Sequence, residues 1–210
     1  MLAAVVFSVW DVLALDVGVS QWFGNAQGFA LRDHWFWKRV MHDTIRWPAW
    51  GLLGILILVS LRATDIELKQ DARWALGGTL VAVVAVQVLK YSSHTTCPWD
   101  LRMFGGAASY VSHWAWGISD GGPGRCFPAG HASAAFSFLP ACAALHSRFR
   151  RPAWVFAGVM LAGLLLGFVQ VVRGAHFVSH VLWSGWVCAA IALLVCALRA
   201  ALRRHADKSL

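Results

Sequence analysis

Four stretches of this sequence are apolar enough, and nearly long enough, to cross a lipid bilayer as helices: 48–61, 74–90, 153–172 and 181–199. A membrane-spanning helix needs about 20 mostly apolar residues. Two weaker candidates are 131–146, whose small residues let helices approach closely, and 2–19, which carries two acidic residues. A mean hydropathy of +0.59 and only 13% charged residues exclude a disordered chain and an average soluble domain. We therefore predict an all-α, polytopic membrane bundle of about six transmembrane helices, forming a single domain over 1–210.

The first stretch, 2–19, has a second interpretation as a cleaved signal peptide. It lacks the basic region that precedes the apolar run of such peptides, and no A-x-A-like cleavage site is followed by a polar segment. We therefore expect an uncleaved first helix. The sequence assigns no role to Asp11 and Asp16, which interrupt this apolar run.

The basic residues predict the orientation of the bundle. Ten of the 18 Lys and Arg residues lie near predicted helix ends, where Lys and Arg mark the cytoplasmic side of a membrane protein. In the inner membrane of a bacterium, both termini would then be cytoplasmic, and 20–46, 91–130 and 173–180 would face the periplasm. The net charge of +8 has this source, so we expect no nucleic-acid partner. The ten residues are Arg62, Lys69, Arg73, Arg148, Arg150, Arg151, Arg199, Arg203, Arg204 and Lys208.

Three short strings on the predicted outward side place basic and imidazole groups at the ends of helices. They are KYSSHTTCP at 90–98, FPAGHAS at 127–133 and RGAHFVSH at 173–180. The segment between the first two strings is too long for a passive connection, and its glycines allow backbone to approach a ligand closely. These strings are the candidate functional site.

The residues in the three strings are suited to chemistry on a phosphate group. Lys90 and Arg173 supply positive charge for phosphate oxygens, as a point donor and as a planar fork. His131 and His176 can act as acid and nucleophile near neutral pH, where imidazole changes charge readily. The Gly130 amide adds a backbone donor at the start of a predicted helix.

Zinc binding is the main chemical alternative for this side of the protein. His94 and Cys97, together with Cys126, His131 or His176, can be drawn as a ligand set. Their spacing matches no compact zinc pattern, so we expect no metal in the site.

At these strings the sequence resembles the type 2 phosphatidic acid phosphatase (PAP2) superfamily. Its membrane members have a six-helix core and the signature K-x6-R-P, then P-S-G-H, then S-R-x5-H-x3-D. Lys90 and Pro98 match the ends of the first part, and PAGH at 128–131 matches the second with Ala in place of Ser. The string G-A-H-F-V-S around His176 looks like the usual G-x-H-x-x-S of the third part. The resemblance implies a PAP2-like core at about 74–199.

Three charged positions of the signature differ in this chain. Cys97 stands where the first Arg is expected, Gln170 where the Arg before the nucleophile is expected, and His180 where the Asp is expected. Arg173 lies about one helical turn from Gln170, so it can present its guanidinium to the same pocket. The other missing Arg has two candidate replacements on the long loop, Arg102 and Arg125.

The resemblance implies a mechanism without metal or other cofactor. His176 would attack phosphorus to form a phosphohistidine, His131 would protonate the leaving oxygen, and Lys90 and Arg173 would hold phosphate oxygens. A neutral His180, one turn beyond His176, would accept its ring N–H in place of the usual Asp. In an alternative register His180 is the nucleophile, with Ser184 four residues after it.

The positions of the cysteines predict one disulfide. Cys142, Cys188 and Cys196 fall in predicted spans, whereas Cys97 and Cys126 lie on the outward side beside two of the strings. Because the exterior of the membrane permits disulfides, we predict a Cys97–Cys126 bridge that orders the loop near the absent Arg.

An outward site flanked by Trp99, Trp114 and Trp116 indicates a substrate whose phosphate lies in the headgroup layer and whose tail stays in lipid. We predict a metal-independent phosphatase for the phosphate monoester or pyrophosphate of a membrane lipid. Candidate substrates are phosphatidate, phosphatidylglycerophosphate, a polyprenyl (pyro)phosphate and lipid A. His42 and Arg46 are candidates to line the entrance, although an interfacial amphipathic helix is the preferred interpretation of their segment.

Two other functions stay open at this point. A phosphotransferase would form the same phosphohistidine and pass the phosphate to a second lipid instead of water. A degenerate member would bind lipid without catalysis, as the missing Arg and Asp positions suggest. Transport is disfavoured because the spans lack paired broken helices and a polar midplane.

Overall fold

The computed structural model describes residues 2–44, 47–115 and 117–208, and it is a bundle of helices. Trp116 and Arg46 lie outside the described residues, as does the side chain of His42. Besides the α-helices there are a π-helical segment, Phe36–Asp43, and an antiparallel hairpin of β1 (Gly24–Asn25) with β2 (Gly28–Phe29). The α-helices are α1 (Leu2–Val12), α2 (Leu15–Ser20), α3 (Trp47–Arg62), α4 (Ile66–Ser92), α5 (Gly130–Phe136), α6 (Leu139–Ala144), α7 (Pro152–Val172) and α8 (Val178–Lys208).

Three of these helices are long and apolar enough to cross a membrane, namely α4, α7 and α8 over Val178–His205. The helices α1 and α3 are also apolar but have only 11 and 16 residues. The predicted all-α membrane fold is therefore confirmed. The count of six spans stays a prediction, because length and composition support three.

The predicted span 131–146 is not one continuous helix. It is divided into α5 and α6, and Pro140 near the start of α6 has no N–H to donate to the carbonyl of Phe136. The Phe138 N–H instead donates at 3.0 Å to the carbonyl of Ala135, three residues earlier. The chain therefore bends at Ser137 and Phe138.

The two short helices α5 and α6 pack inside the bundle, against α4, α7 and α8. Phe136 is buried at their junction, and a Cβ atom added to Gly163 of α7 would lie 2.3 Å from its ring. On the α4 side, a Cβ atom on Gly78 would lie 2.6 Å from Pro140. Small residues thus let the long helices approach the broken one closely, as in other membrane bundles.

Ion pairs around Asp71 hold the end of the bundle where α4 begins. The Arg148 Nε lies 3.0 Å from the Asp71 carboxylate, and its two other nitrogens reach Asp65 and Glu67 at 3.3 and 3.4 Å. Arg199 of α8 contacts the second oxygen of Asp71 and also the Ala144 carbonyl. These contacts tie α4, α8 and the α6–α7 connection together, so some of the basic residues in this end also bind carboxylates.

Asp16 ties the N-terminal segment to the start of α8. Its Oδ1 accepts the backbone N–H of Ser179 at 3.0 Å and the indole N–H of Trp10 at 2.9 Å, and its Oδ2 accepts the Ser179 hydroxyl. The first N–H groups of a helix have no partner within the helix, so the carboxylate satisfies one of them. This contact gives a role to an acidic residue that the sequence left unassigned.

We expect Gly163→Ala to lower the thermal unfolding midpoint in detergent, because the new methyl group would clash with buried Phe136. Overpacking a core costs about 1–3 kcal/mol. The matched control is Gly158→Ala in the same helix, where no atom lies within 4 Å of the added Cβ. Equal midpoints for the two variants would contradict this account of the packing.

Candidate functional site

The structure brings three strings together at one end of the bundle, which we call the motif end, namely 90–98, 127–133 and 173–180. The Ala129 N–H donates to the carbonyl of His180 at 3.1 Å, which joins the start of α5 to the first turn of α8. The Trp99 N–H donates to the Gly174 carbonyl at 2.9 Å, which joins the long loop to the α7–α8 turn. Residues 51 and 75 positions apart in sequence therefore meet at this end of the bundle.

Lys90 lies beside the first residue of α5. A Cβ atom on Gly130 would lie 3.3 Å from the Lys90 Nζ, so a glycine at this position lets the ammonium approach the helix closely. Lys90, Gly130 and His131 share a cavity of about 450 Å³. Its remaining wall is mostly apolar and comes from Ala49, Trp50, Leu53, Thr79, Leu80, Val83, Gln87, Ser133, Ala134, Ser137 and Phe138.

His176 is buried and lies against the disulfide between Cys97 and Cys126. Its Nδ1 is 3.5 Å from the Cys126 Sγ, which is also 3.3 Å from the Ala175 carbonyl oxygen. The two cysteine Cα atoms are 5.2 Å apart. A disulfide sulfur carries no hydrogen, so it can only accept weakly from the His176 ring. A sulfur atom therefore occupies the side of the imidazole where a carboxylate is expected.

The His180 ring lies beside the His176 ring, and its role as acceptor of the His176 ring N–H stays a prediction. One hydrogen bond joins His180 to the Cys126 backbone, and its Nδ1 has no hydrogen-bond partner among the described residues. The His176 and His180 rings meet edge to face, with centroids 5.8 Å apart. The ring of His180 is fully buried between Phe127 and Phe177, so it packs as an aromatic group.

The alternative register, with His180 as nucleophile, expects Ser184 to contact that ring. The Ser184 hydroxyl instead lies 2.8 Å from the His180 carbonyl oxygen and 3.0 Å from the Ala129 carbonyl oxygen. Ser184 therefore binds backbone at the junction of α5 and α8, and its hydroxyl does not orient the imidazole.

Arg173 is buried where α7 ends. Its Nη1 donates to the Gln170 Oε1 at 3.3 Å, so these two residues share a pocket as their spacing predicts. Its Nε donates to the carbonyl of Arg32 at 3.0 Å, and the Arg32 guanidinium lies 4.6 Å above the Trp99 ring. The sequence analysis missed Arg32, because an isolated cation in an interfacial segment carries no distinguishing pattern.

The two candidate replacements for the missing arginine differ in position. Arg102 is exposed, and its Nε donates to the carbonyl of Ala107 within its own loop at 2.9 Å. Arg125 is also exposed, but its N–H donates to the Ser93 carbonyl, and its guanidinium lies 5.3 Å from the centre of the Tyr91 ring. Arg125 is therefore adjacent to the string that contains Lys90.

Three glycines of the 91–130 segment, Gly106, Gly122 and Gly124, closely approach other residues of the same loop. The expectation that glycines of this segment approach a ligand stays a prediction. A Cβ atom on Gly106 would lie 2.1 Å from the Asp100 backbone, and one on Gly122 would lie 2.4 Å from the Thr96 hydroxyl. Asp120 is buried in the same loop and accepts from the Thr96 N–H and hydroxyl. Burial also raises the pKa of the Asp100 carboxyl above its usual value. The loop is thus ordered internally.

The predicted zinc alternative does not fit the residues as they are bonded. Ligand atoms of Cys97, Cys126 and His176 lie within 4.8 Å of one another. Both cysteines are in the disulfide, however, and the thiolate is the form that binds metal. His94, the fourth proposed ligand, is exposed.

A family model described as the PAP2 superfamily matches residues 71–204, which include all three motif strings and run from α4 into α8. No curated protein and no solved structure matches the chain. The family match confirms the resemblance that the motifs indicated.

We expect peptide mapping under non-reducing conditions to recover Cys97 and Cys126 as one linked peptide pair in protein purified from membranes. Cys142 and Cys188, which are buried and free, provide the internal control because they should react with a thiol reagent only after unfolding. Detection of Cys97 or Cys126 as a free thiol would contradict the bridge.

Proposed function

The chain belongs to the PAP2 superfamily, and we propose that it is a membrane phosphatase that removes phosphate from a membrane lipid. The observation that carries this proposal is the shared cavity of Lys90, Gly130 and His131, whose other walls are mostly apolar. A phosphate in the polar part and a hydrocarbon tail along the apolar part would satisfy both surfaces. The proposed substrates are phosphatidate, phosphatidylglycerophosphate, a polyprenyl (pyro)phosphate or lipid A.

In the proposed reaction the neutral His176 ring attacks phosphorus and the bond to the leaving oxygen breaks. His131 transfers its proton to that oxygen, so an alcohol leaves neutral or a phosphate leaves as its protonated anion, and His176 becomes phosphorylated. Water then attacks the phosphohistidine, His131 takes a proton from it, and inorganic phosphate is released. Lys90, Arg173 and the Gly130 amide stabilise the charge on the phosphate oxygens.

In this proposal a disulfide sulfur helps to orient the His176 ring. The Cys126 sulfur lies 3.5 Å from Nδ1, where it helps to fix the ring position. His180 supports both residues of this contact. It hydrogen-bonds to the Cys126 backbone, and its ring contacts the His176 ring. A sulfur stabilises a developing imidazolium less than a carboxylate does, so we expect a slow enzyme.

Positive charge for the phosphate comes from three directions in this proposal. Lys90 enters from the end of α4, Arg173 from the end of α7, and Arg125 from the loop before α5. Arg173 is held by Gln170 and by the Arg32 carbonyl, which fixes its planar guanidinium for two parallel contacts to phosphate oxygens.

The proposed path for the lipid tail leads along α3 and the broken helix. A second cavity of about 640 Å³ is almost wholly apolar and shares three wall residues with the first: Ala49, Ala134 and Phe138. It extends between α3 and α7, beside Leu52 and Leu166. The two spaces together suit a substrate with a charged head and a long apolar chain.

We expect the purified protein to release phosphate from at least one member of a panel of these lipid phosphates. His131→Ala should lower kcat by about 10²–10⁴-fold, the usual contribution of a general acid. His176→Ala should abolish release and also abolish the acid-labile phosphoenzyme trapped with radiolabelled substrate. His94→Ala, at an exposed position of the motif end, is the matched control and should keep wild-type activity.

Four outcomes of that assay would contradict the proposal. Phosphate release by the His176→Ala variant would show that His176 is not the nucleophile. A phosphoenzyme at another residue would assign the nucleophile to that residue. A phosphorylated second lipid in place of free phosphate would identify a phosphotransferase. An inactive wild-type protein that still binds the lipids would identify a non-enzymatic member.

We also propose that the motif end faces away from the cytoplasm and that both termini are cytoplasmic. Two exposed serines at opposite ends allow a matched test, with Cys196 first replaced by Ala. Ser119→Cys at the motif end should react with a membrane-impermeant maleimide in intact cells, whereas Ser147→Cys should react only after the membrane is permeabilised. The reverse pattern would contradict this orientation.

A further inference from the structure

A second cluster of ligand-type side chains lies next to the phosphatase site and has no role in the proposed reaction. It consists of Asp11 at the end of α1, Asp16 in α2, and His113 in the long loop. One ligand atom from each residue lies within 4.8 Å of the other two. The cluster thus joins three separate segments of the chain.

The three side chains are almost completely removed from solvent. The exposed fractions of the His113 and Asp11 side chains are 5% and 4%, and Asp16 is 3% exposed as a residue. Two carboxylates buried together cost much free energy unless a positive charge compensates them. Except for His113, the groups that donate to them in the described part of the chain are neutral: Trp10, Trp114, Trp183 and Ser179.

One carboxylate oxygen in this cluster, the Asp11 Oδ1, is buried and lacks a hydrogen-bond partner among the described residues. A buried polar atom without a partner is rare in folded proteins and needs a specific explanation. The His113 Nε2 lies 3.3 Å from the other oxygen of the same carboxylate. Carboxylate oxygen and imidazole nitrogen are both good ligands for a metal ion.

We propose that Asp11, Asp16 and His113 bind one divalent transition-metal ion, with Zn²⁺ as the expected occupant. Carboxylate oxygen and imidazole nitrogen bind Zn²⁺ at about 2.0–2.2 Å, which places neighbouring ligand atoms about 3.4 Å apart. Ligand atoms of the three residues lie within 4.8 Å of one another in the structure, which holds no ion. The imidazole selects a transition metal over Mg²⁺ or Ca²⁺, which prefer oxygen ligands alone.

The surrounding hydrogen bonds orient the carboxylates for this role. The Asp11 Oδ2 accepts the indole N–H groups of Trp114 and Trp183 at 2.8 and 2.9 Å, and Oδ1 is left without a hydrogen-bond partner among the described residues. Asp16 is fixed by Trp10 and Ser179. Such contacts fix the orientation of metal ligands and commonly influence affinity by 10–100-fold.

The ion would have a structural function. It would join the N-terminal segment to the loop, next to the first turn of α8, and His113 stacks on Phe127 with ring centroids 4.1 Å apart. His113 also contacts the ring of His180, at 5.4 Å between centroids. The bound ion would therefore fix the packing behind the motif strings, without touching the phosphate.

The test uses full-length protein, purified without a polyhistidine tag and stripped with a chelator. After addition of Zn²⁺ and removal of the excess, elemental analysis should find one zinc per chain. Zn²⁺ at 100 times its Kd should raise the thermal midpoint by about 5 °C or more. Mn²⁺ should bind more weakly, and Mg²⁺ should leave the midpoint unchanged.

Asp11→Asn and His113→Gln should abolish both the bound zinc and the shift. Asp33→Asn and His94→Gln, which make the same changes at exposed positions of the motif end, should retain both. X-ray absorption at the zinc edge of the wild-type protein should find only nitrogen and oxygen ligands, a result that does not depend on folding of a variant. A wild-type protein without stoichiometric zinc, zinc retained by both cluster variants, or a sulfur ligand at about 2.3 Å would each overturn the proposal.

Discussion

The structure depends on the attachment of the long loop and the N-terminal segment to the first two turns of α8. The Ala129 N–H and the Ser184 hydroxyl both bind carbonyls at this junction, and Asp16 binds the backbone of Ser179 from the other side. Because buried backbone groups need partners, these contacts leave the start of α8 little freedom. The placement of His131, His176 and the disulfide relative to one another follows from this junction.

Much of the helical scaffold could be predicted from hydropathy alone. The apolar runs at 74–90, 153–172 and 181–199 each lie within one long helix. In lipid a continuous apolar run with few charges is stable as a helix, because a helix pairs its backbone N–H and C=O groups within the segment. The structure of the run at 131–146 was harder to predict. Some spanning helices tolerate a proline, whereas here Pro140 lies at the start of a second helix, just after the first has ended. Its burial inside the bundle was consistent with its small residues.

The candidate site was predictable as a set of residues and less predictable as a set of contacts. Motif spacing selected Lys90, His131 and His176, and the pairing of Arg173 with Gln170 followed from helical spacing. Spacing along the chain indicated His180 as a neighbour of the His176 ring, and the structure places both His180 and Cys126 beside that ring. The Cys126 contact depends on how the folded loop lies, which spacing does not encode. Asp120 accepts from the N–H and hydroxyl of Thr96, and Arg32 contacts Arg173 through its own carbonyl. Such contacts between distant residues leave no local pattern in a sequence.

The break between α5 and α6 has a consequence for how such an enzyme would be controlled. Ser137 and Phe138, at the bend, line the same cavity as Lys90 and His131, so the proposed reaction centre opens sideways between helices. A lipid that arrives by this route diffuses in two dimensions and competes with every neighbouring lipid for the opening. Turnover would then follow the mole fraction of the substrate in its leaflet, and dilution with other lipids would slow the reaction at constant total substrate.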